Sequence, residues 1–180
     1  MLVLKPLLLL MLLTLSQTAL GEDVRYKPVR SLQEIRTEGV IIQHWDNSCA
    51  AAALATVLTF SFSDPVSERD VAKGMLGRTD PVKVKVQGGF SFLDMKRFVE
   101  GRGYKGVGFR NMRIADLQRY QSPILPIEVH GYPHFVVFKG VSGDNVLLAD
   151  PAFGNRTMSI ERFEQAWSDG LAFVVLRNIQ

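Results

Sequence analysis

The chain predicts an α+β fold, with helices from its first half packed on a mainly antiparallel sheet formed by its second half. Two observations carry this expectation. Between residues 50 and 100, apolar segments of helical character follow serine caps. From residue 123 onward, short β-type runs alternate with turn chemistry. Helices first and strands afterwards is the order of a two-layer α+β architecture.

Taken in order, Met1 to Leu20 carries one charge, Lys5, ahead of the apolar run "PLLLLMLLTL". Ala19 and Gly21 fit the small-residue positions of a signal-peptidase site, so residues 1–21 read as a signal peptide cut after Gly21. The run is shorter than the roughly 20 residues that span a bilayer. An uncleaved membrane anchor is the competing reading. Export implies a periplasmic protein with no stable membrane insertion after cleavage. About 160 residues would remain, enough for one domain that buries about two thirds of its unfolded surface.

Glu22 to Arg36 is polar and reads as loosely structured, so residues 22–38 are assigned to an N-terminal extension and 39–180 to the domain. "GVIIQ" at 39–43 reads as a short strand. Ala50 to Phe60 is apolar and strongly helix-forming, which predicts a buried helix. Ser67 with Asp70, and Ser91 with Asp94, mark the starts of two more helices, the second stopped by Gly101 or Gly103. "PILPIEV", "HFVVFKGV", "NVLLA" and "LAFVVLRN" read as strands, interrupted by an amphipathic helix over Ile160–Trp167.

The 21 basic and 18 acidic residues show no clustering, so nucleic acid is not expected as a partner. One cysteine and three histidines have no metal-ligand spacing, and neither metal nor cofactor is expected. "GRGYKG" at 101–106 matches a dinucleotide-binding pattern, but it follows a helix and precedes a strand, the reverse of the required context.

Cys49, the only cysteine, stands at the start of the alanine-rich helix. There a thiol meets the positive end of the helix dipole and unpaired N–H groups, which stabilise its thiolate. Gln43 lies six residues upstream, where a side-chain amide and the Cys49 N–H could hold an oxyanion. His134 opens one β-run and Asp150 closes the next, so a hairpin would bring them to one end of adjacent strands. There the histidine can accept the thiol proton while the aspartate orients the ring. His44 and His130 are rival bases, the first too near Cys49 along the chain and the second in a turn.

These motifs resemble the C39 peptidases, papain-like cysteine proteases that cut leader peptides after a double glycine. The likeness runs from about Gly39 to Val175, on the Gln43–Cys49 spacing, "HFVVFKGV" followed by "ADPAFG", and "FEQAW". The resemblance implies a papain-like domain over 39–180, with Cys49 as nucleophile, His134 as base, Asp150 as its partner and Gln43 as oxyanion donor. One departure is Ser48-Cys49-Ala50, where the family has Asp-Cys-Gly, and the Ala50 methyl is expected to crowd a substrate near the backbone. With no Walker A loop or apolar bundle, the chain resembles the stand-alone forms found with bacterial functional-amyloid secretion. The implied partner is a peptide or protein substrate, Gly-rich or amyloid-forming and itself exported, cut after small or Gly residues. A catalytically silent binding module for an export substrate or secretion channel is the alternative, and transfer of the acyl group rather than hydrolysis stays open.

Overall fold

The computed structural model describes residues 29–129 and 131–178. The expected signal segment and His130 lie outside the described residues. Six strands form one antiparallel sheet in the order β1-β6-β2-β3-β4-β5. They are β1 Tyr104–Phe109, β2 Ile124–Val129, β3 Tyr132–Ser142, β4 Asn145–Asp150, β5 Gly154–Ser159 and β6 Ala172–Arg177.

Helix α1 covers Leu32–Thr37 and α2 Cys49–Thr56, the latter running into a π-helical turn over Val57–Ser61. Next come α3 Glu68–Leu76, α4 Pro81–Gln87 and α5 Phe92–Glu100, with α6 Ile114–Leu117 and α7 Ile160–Ala166 among the strands. α2 is apolar on every side, so it can only be a central helix. Ala50 through Thr56 are all buried, and their small side chains let the helix lie close to β3.

The sheet is covered on both faces, which corrects the two-layer expectation. Side chains alternate along a strand. Ile124, Val137, Ala149, Phe173 and Val175 therefore pack under α2, α3 and α5, while Leu125, Ile127, Val136, Phe138 and Leu148 pack with Leu117, Phe163 and Trp167 on the other side. α6 and α7 are thus a third, partial layer.

Two further expectations are corrected. The extension is not loosely structured throughout, because α1 is closed by a capping box between Ser31 and Glu34. It is clamped to β5 by Asn155, whose amide donates to Glu38 O at 2.7 Å. Residues 39–43 form no strand. The Ile41 N–H donates to Thr56 Oγ1 (2.9 Å) and the Gln43 N–H to Pro151 O (2.8 Å). These partners belong to different elements, so the segment is an extended link between α2 and the turn after Asp150, not part of a ladder.

Candidate active site

Cys49 is the first residue of α2, and its backbone position follows from the turn before it. Asn47 sits in the left-handed region at φ 64°, and Ser48 precedes the helix without capping it through its side chain. The Ser48 hydroxyl is instead committed to Trp45 O (2.6 Å) and Glu68 Oε1 (2.5 Å). The first-turn N–H groups of α2 are consequently left without a side-chain cap.

The structure brings Cys49, His134 and Asp150 together. β3 extends beyond the end of its pairing with β4, which runs from Val137↔Ala149 to Ser142↔Asn145. This stretch, paired with β2 alone, presents the Phe135 N–H and the His134 ring to the thiol. Burial pushes the half-buried Cys49 thiol up, but hydrogen bonds from His134, the Phe135 N–H and the Ala50 N–H, with the charge on His134, outweigh it and leave the pKa lowered.

His134 Nε2 lies 2.7 Å from Asp150 Oδ1, so the nitrogen left for Cys49 is Nδ1. Burial opposes charge on the imidazole, yet Asp150 and the thiolate raise its pKa to about 9. At neutral pH these opposite shifts favour a thiolate–imidazolium pair.

Asp150 is fully buried, and its two oxygens are held differently. Oδ1 accepts from His134, from the Ala152 N–H at 2.9 Å and from the Phe153 N–H at 3.3 Å. Oδ2 faces Arg156 Nε at 3.0 Å, an ion pair that lacks hydrogen-bond alignment. Burial raises the Asp150 carboxyl pKa, and His134, the Ala152 N–H and Arg156 together bring it below the usual range. The Arg156 guanidinium also lies over the Phe153 ring, 5.5 Å from its centroid.

Gln43 approaches the same end of the fold through its backbone bond to Pro151. Its side-chain Nε2 donates to Trp45 O at 3.3 Å, which leaves its second amide hydrogen uncommitted. Its buried Oε1 has no partner among the described residues.

Two other residues weighed from sequence resolve differently. His44 hydrogen-bonds Glu68 Oε2 through Nδ1 at 2.8 Å, on the side of α3. Ala50 is fully buried, so its methyl group packs into the core and does not crowd the cleft, contrary to expectation. Sequence reasoning missed Glu68, Arg156 and the Phe135 N–H. The first two carried no local signal, because the partners of Glu68 are 20 and 24 residues away, that of Arg156 is six away across a turn, and only the fold shows which contacts form.

This helix end set against an antiparallel sheet is the architecture of solved peptidase domains. The peptidase domain of Streptococcus ComA, a bi-functional ABC transporter involved in quorum sensing, superposes with a TM-score of 0.63 at 19% identity, over 77% of this chain and 98% of that one. A double glycine motif protease from an AMS/PCAT transporter, solved with its leader peptide, gives 0.63 at 24% identity, over 77% and 91%. At these identities the likeness establishes the fold.

The family is established by sequence. The Peptidase C39 family model matches residues 37–178. A "Probable functional amyloid protease FapD" of Pseudomonas aeruginosa is 40% identical over 87% of this chain and 68% of its own length, and its counterpart from Pseudomonas fluorescens is 38% identical over the same shares. The chain belongs to the Peptidase C39 family. Family and relatives together support a peptidase role.

Proposed function

We propose that the chain is an exported, periplasmic cysteine peptidase that cleaves an exported, amyloid-forming or Gly-rich protein after small residues. The observation that carries the mechanism is the 2.7 Å bond from His134 to the buried Asp150, with the Cys49 thiol held below its ordinary pKa beside the same imidazole. The Cys49 thiolate attacks the scissile carbonyl carbon, and the carbonyl oxygen becomes an oxyanion held by the Cys49 N–H and the Gln43 amide. Imidazolium His134 gives its proton to the leaving amine, which departs and leaves a thioester on Cys49. Neutral His134 then takes a proton from water, whose oxygen attacks the thioester and releases the acid.

The substrate class is drawn from the relatives named as amyloid proteases, and export from the apolar N-terminal run with its small-residue cleavage site. Incubating the mature protein with peptides that vary at the residue before the scissile bond, and reading products by mass, tests the reading. Cleavage after Gly or Ala, abolished in Cys49→Ser, is the expected result. Intact peptides across the whole set, with a Cys49 that also fails to form a thiolate at neutral pH, would favour the silent binding module.

A further inference from the structure

Between Gln43 and Cys49 the chain makes a five-residue loop, His44–Ser48, whose shape depends on α3. Glu68, the first residue of α3, is 3% exposed, yet it carries a carboxylate. A carboxylate in such a place needs donors. Among the described residues, all of those it has come from this loop. Oε1 and Oε2 accept from the His44 N–H at 3.0 and 3.2 Å, Oε2 from the His44 ring at 2.8 Å, and Oε1 from the Ser48 hydroxyl at 2.5 Å.

The network continues to the oxyanion donor. Ser48 has a single hydroxyl proton, shared between Glu68 Oε1 and Trp45 O. The same Trp45 carbonyl accepts from Gln43 Nε2. Glu68 thus connects through Ser48 and Trp45 O to the amide of Gln43, and through the Ser48 backbone to the N–H of Cys49. The neighbouring residue of α3 grips the loop a second time, with the Arg69 guanidinium 5.7 Å from the centroid of the Trp45 ring.

We infer that Glu68 is a positioning residue for the oxyanion hole, fixing the loop that aims the Gln43 amide and the Cys49 N–H at the same point. The network reaches neither the Cys49 thiol nor the His134 imidazole, so its influence is on the electrophile's oxygen and not on thiolate formation. The inference rests on the reading of Gln43 as an oxyanion donor. It goes beyond that reading by naming what holds the donor in place.

Two reactions of Cys49 separate these effects without knowledge of the natural substrate. Alkylation by iodoacetamide displaces iodide from a saturated carbon and forms no oxyanion. Acylation by p-nitrophenyl acetate adds sulfur to a carbonyl, forms an oxyanion and then expels p-nitrophenolate. The ratio of the two rates at pH 7 is to be measured in wild type, Gln43→Ala, Glu68→Gln, Ser48→Ala and Ser48→Thr.

In Glu68→Gln the acylation rate is expected to fall about tenfold with alkylation held within about twofold, since loss of a whole oxyanion donor costs roughly 10²- to 10³-fold. Ser48→Ala should show the same split at smaller size, and Ser48→Thr, which keeps the hydroxyl, should restore the ratio. Equal falls in both rates, or an unchanged ratio in both Glu68→Gln and Ser48→Ala, would overturn the inference. Should Glu68→Gln fail to fold, the Ser48 pair decides alone. An unchanged ratio in Gln43→Ala is a different failure, because it removes the oxyanion reading itself and the inference with it.

Discussion

His134 Nε2 donates to Asp150 Oδ1 across 2.7 Å, from a position on β3 that β4 has already left to a fully buried carboxylate at the last residue of β4. The bond leaves Nδ1 toward Cys49 and selects the ring orientation that a thiol proton acceptor needs. Asp150→Asn keeps the shape but removes the charge that holds His134 as an imidazolium. Peptide cleavage, followed by product mass, is expected to fall by roughly 10²- to 10⁴-fold in kcat with KM little changed.

Cleavage should follow a bell-shaped pH profile. The acid limb reports formation of the thiolate and falls below the pH of about 8.5 at which an ordinary cysteine ionises. The basic limb reports loss of the imidazolium proton and lies near 9. Both limbs belong to the coupled pair and not to either group alone. Initial rates across pH 4 to 10 would show it, and a single rise centred above 8 would contradict it.

The same shifts govern stability. His134 binds its proton more tightly when folded than when unfolded, so its contribution is complete below its ordinary value of 6.5 and is lost as pH rises through about 9. Asp150 is shifted the other way, so its contribution is present above the ordinary value of 3.8 and disappears as pH falls through its lowered folded value. Removing Arg156 takes away the one ion-pair partner that Oδ2 has among the described residues. Arg156→Gln is expected to cost about 1–3 kcal/mol at pH 7. Denaturant melts should show that loss shrinking in acid, where Asp150 is protonated in both proteins.

Gly154 ties the extension to the site. Its φ is +79°, and a Cβ there would come within 2.5 Å of the Arg36 carbonyl oxygen in α1. Gly154→Ala should therefore displace α1 from β5, at a cost of about 1–3 kcal/mol for a strained backbone position. Amide exchange should rise over residues 32–37, and a thermal melt would register the loss.

How much of this was legible depended on the reach of each signal. The serine caps of α3 and α5 are local, and Ser67 and Ser91 do accept from the residues three positions on. The alanine run marked α2, and the apolar runs marked β2, β3, β4 and β6. α4 is hard to read locally, because "VKVKVQ" alternates with a strand's period of two, although Asp80, Pro81 and the left-handed Gly88 form a complete set of helix boundaries around it. β5, "GNRTMS", is an edge strand with little apolar character and becomes a strand through its pairing with β4.

The site divided along the same line. Cys49, His134 and Asp150 could be singled out because helix start, strand start and strand end are local features. Gln43 is placed by a backbone bond to Pro151, more than a hundred residues away, in an extended link that joins no ladder. Glu68 looked like an ordinary first-turn acid. Only its burial against the His44–Ser48 loop gives it a role.

The central claim is that Cys49 and His134 form a thiolate–imidazolium pair. The measurement that addresses it most directly is the rate of iodoacetamide alkylation of Cys49 against pH, followed by intact mass in the mature protein and in His134→Ala. Labelling that stays fast well below pH 7 in the wild type, and returns in the variant to a titration near the ordinary value of about 8.5, is the predicted result. Labelling that rises only above pH 8 and is the same in both proteins would contradict the pair and the peptidase mechanism built on it.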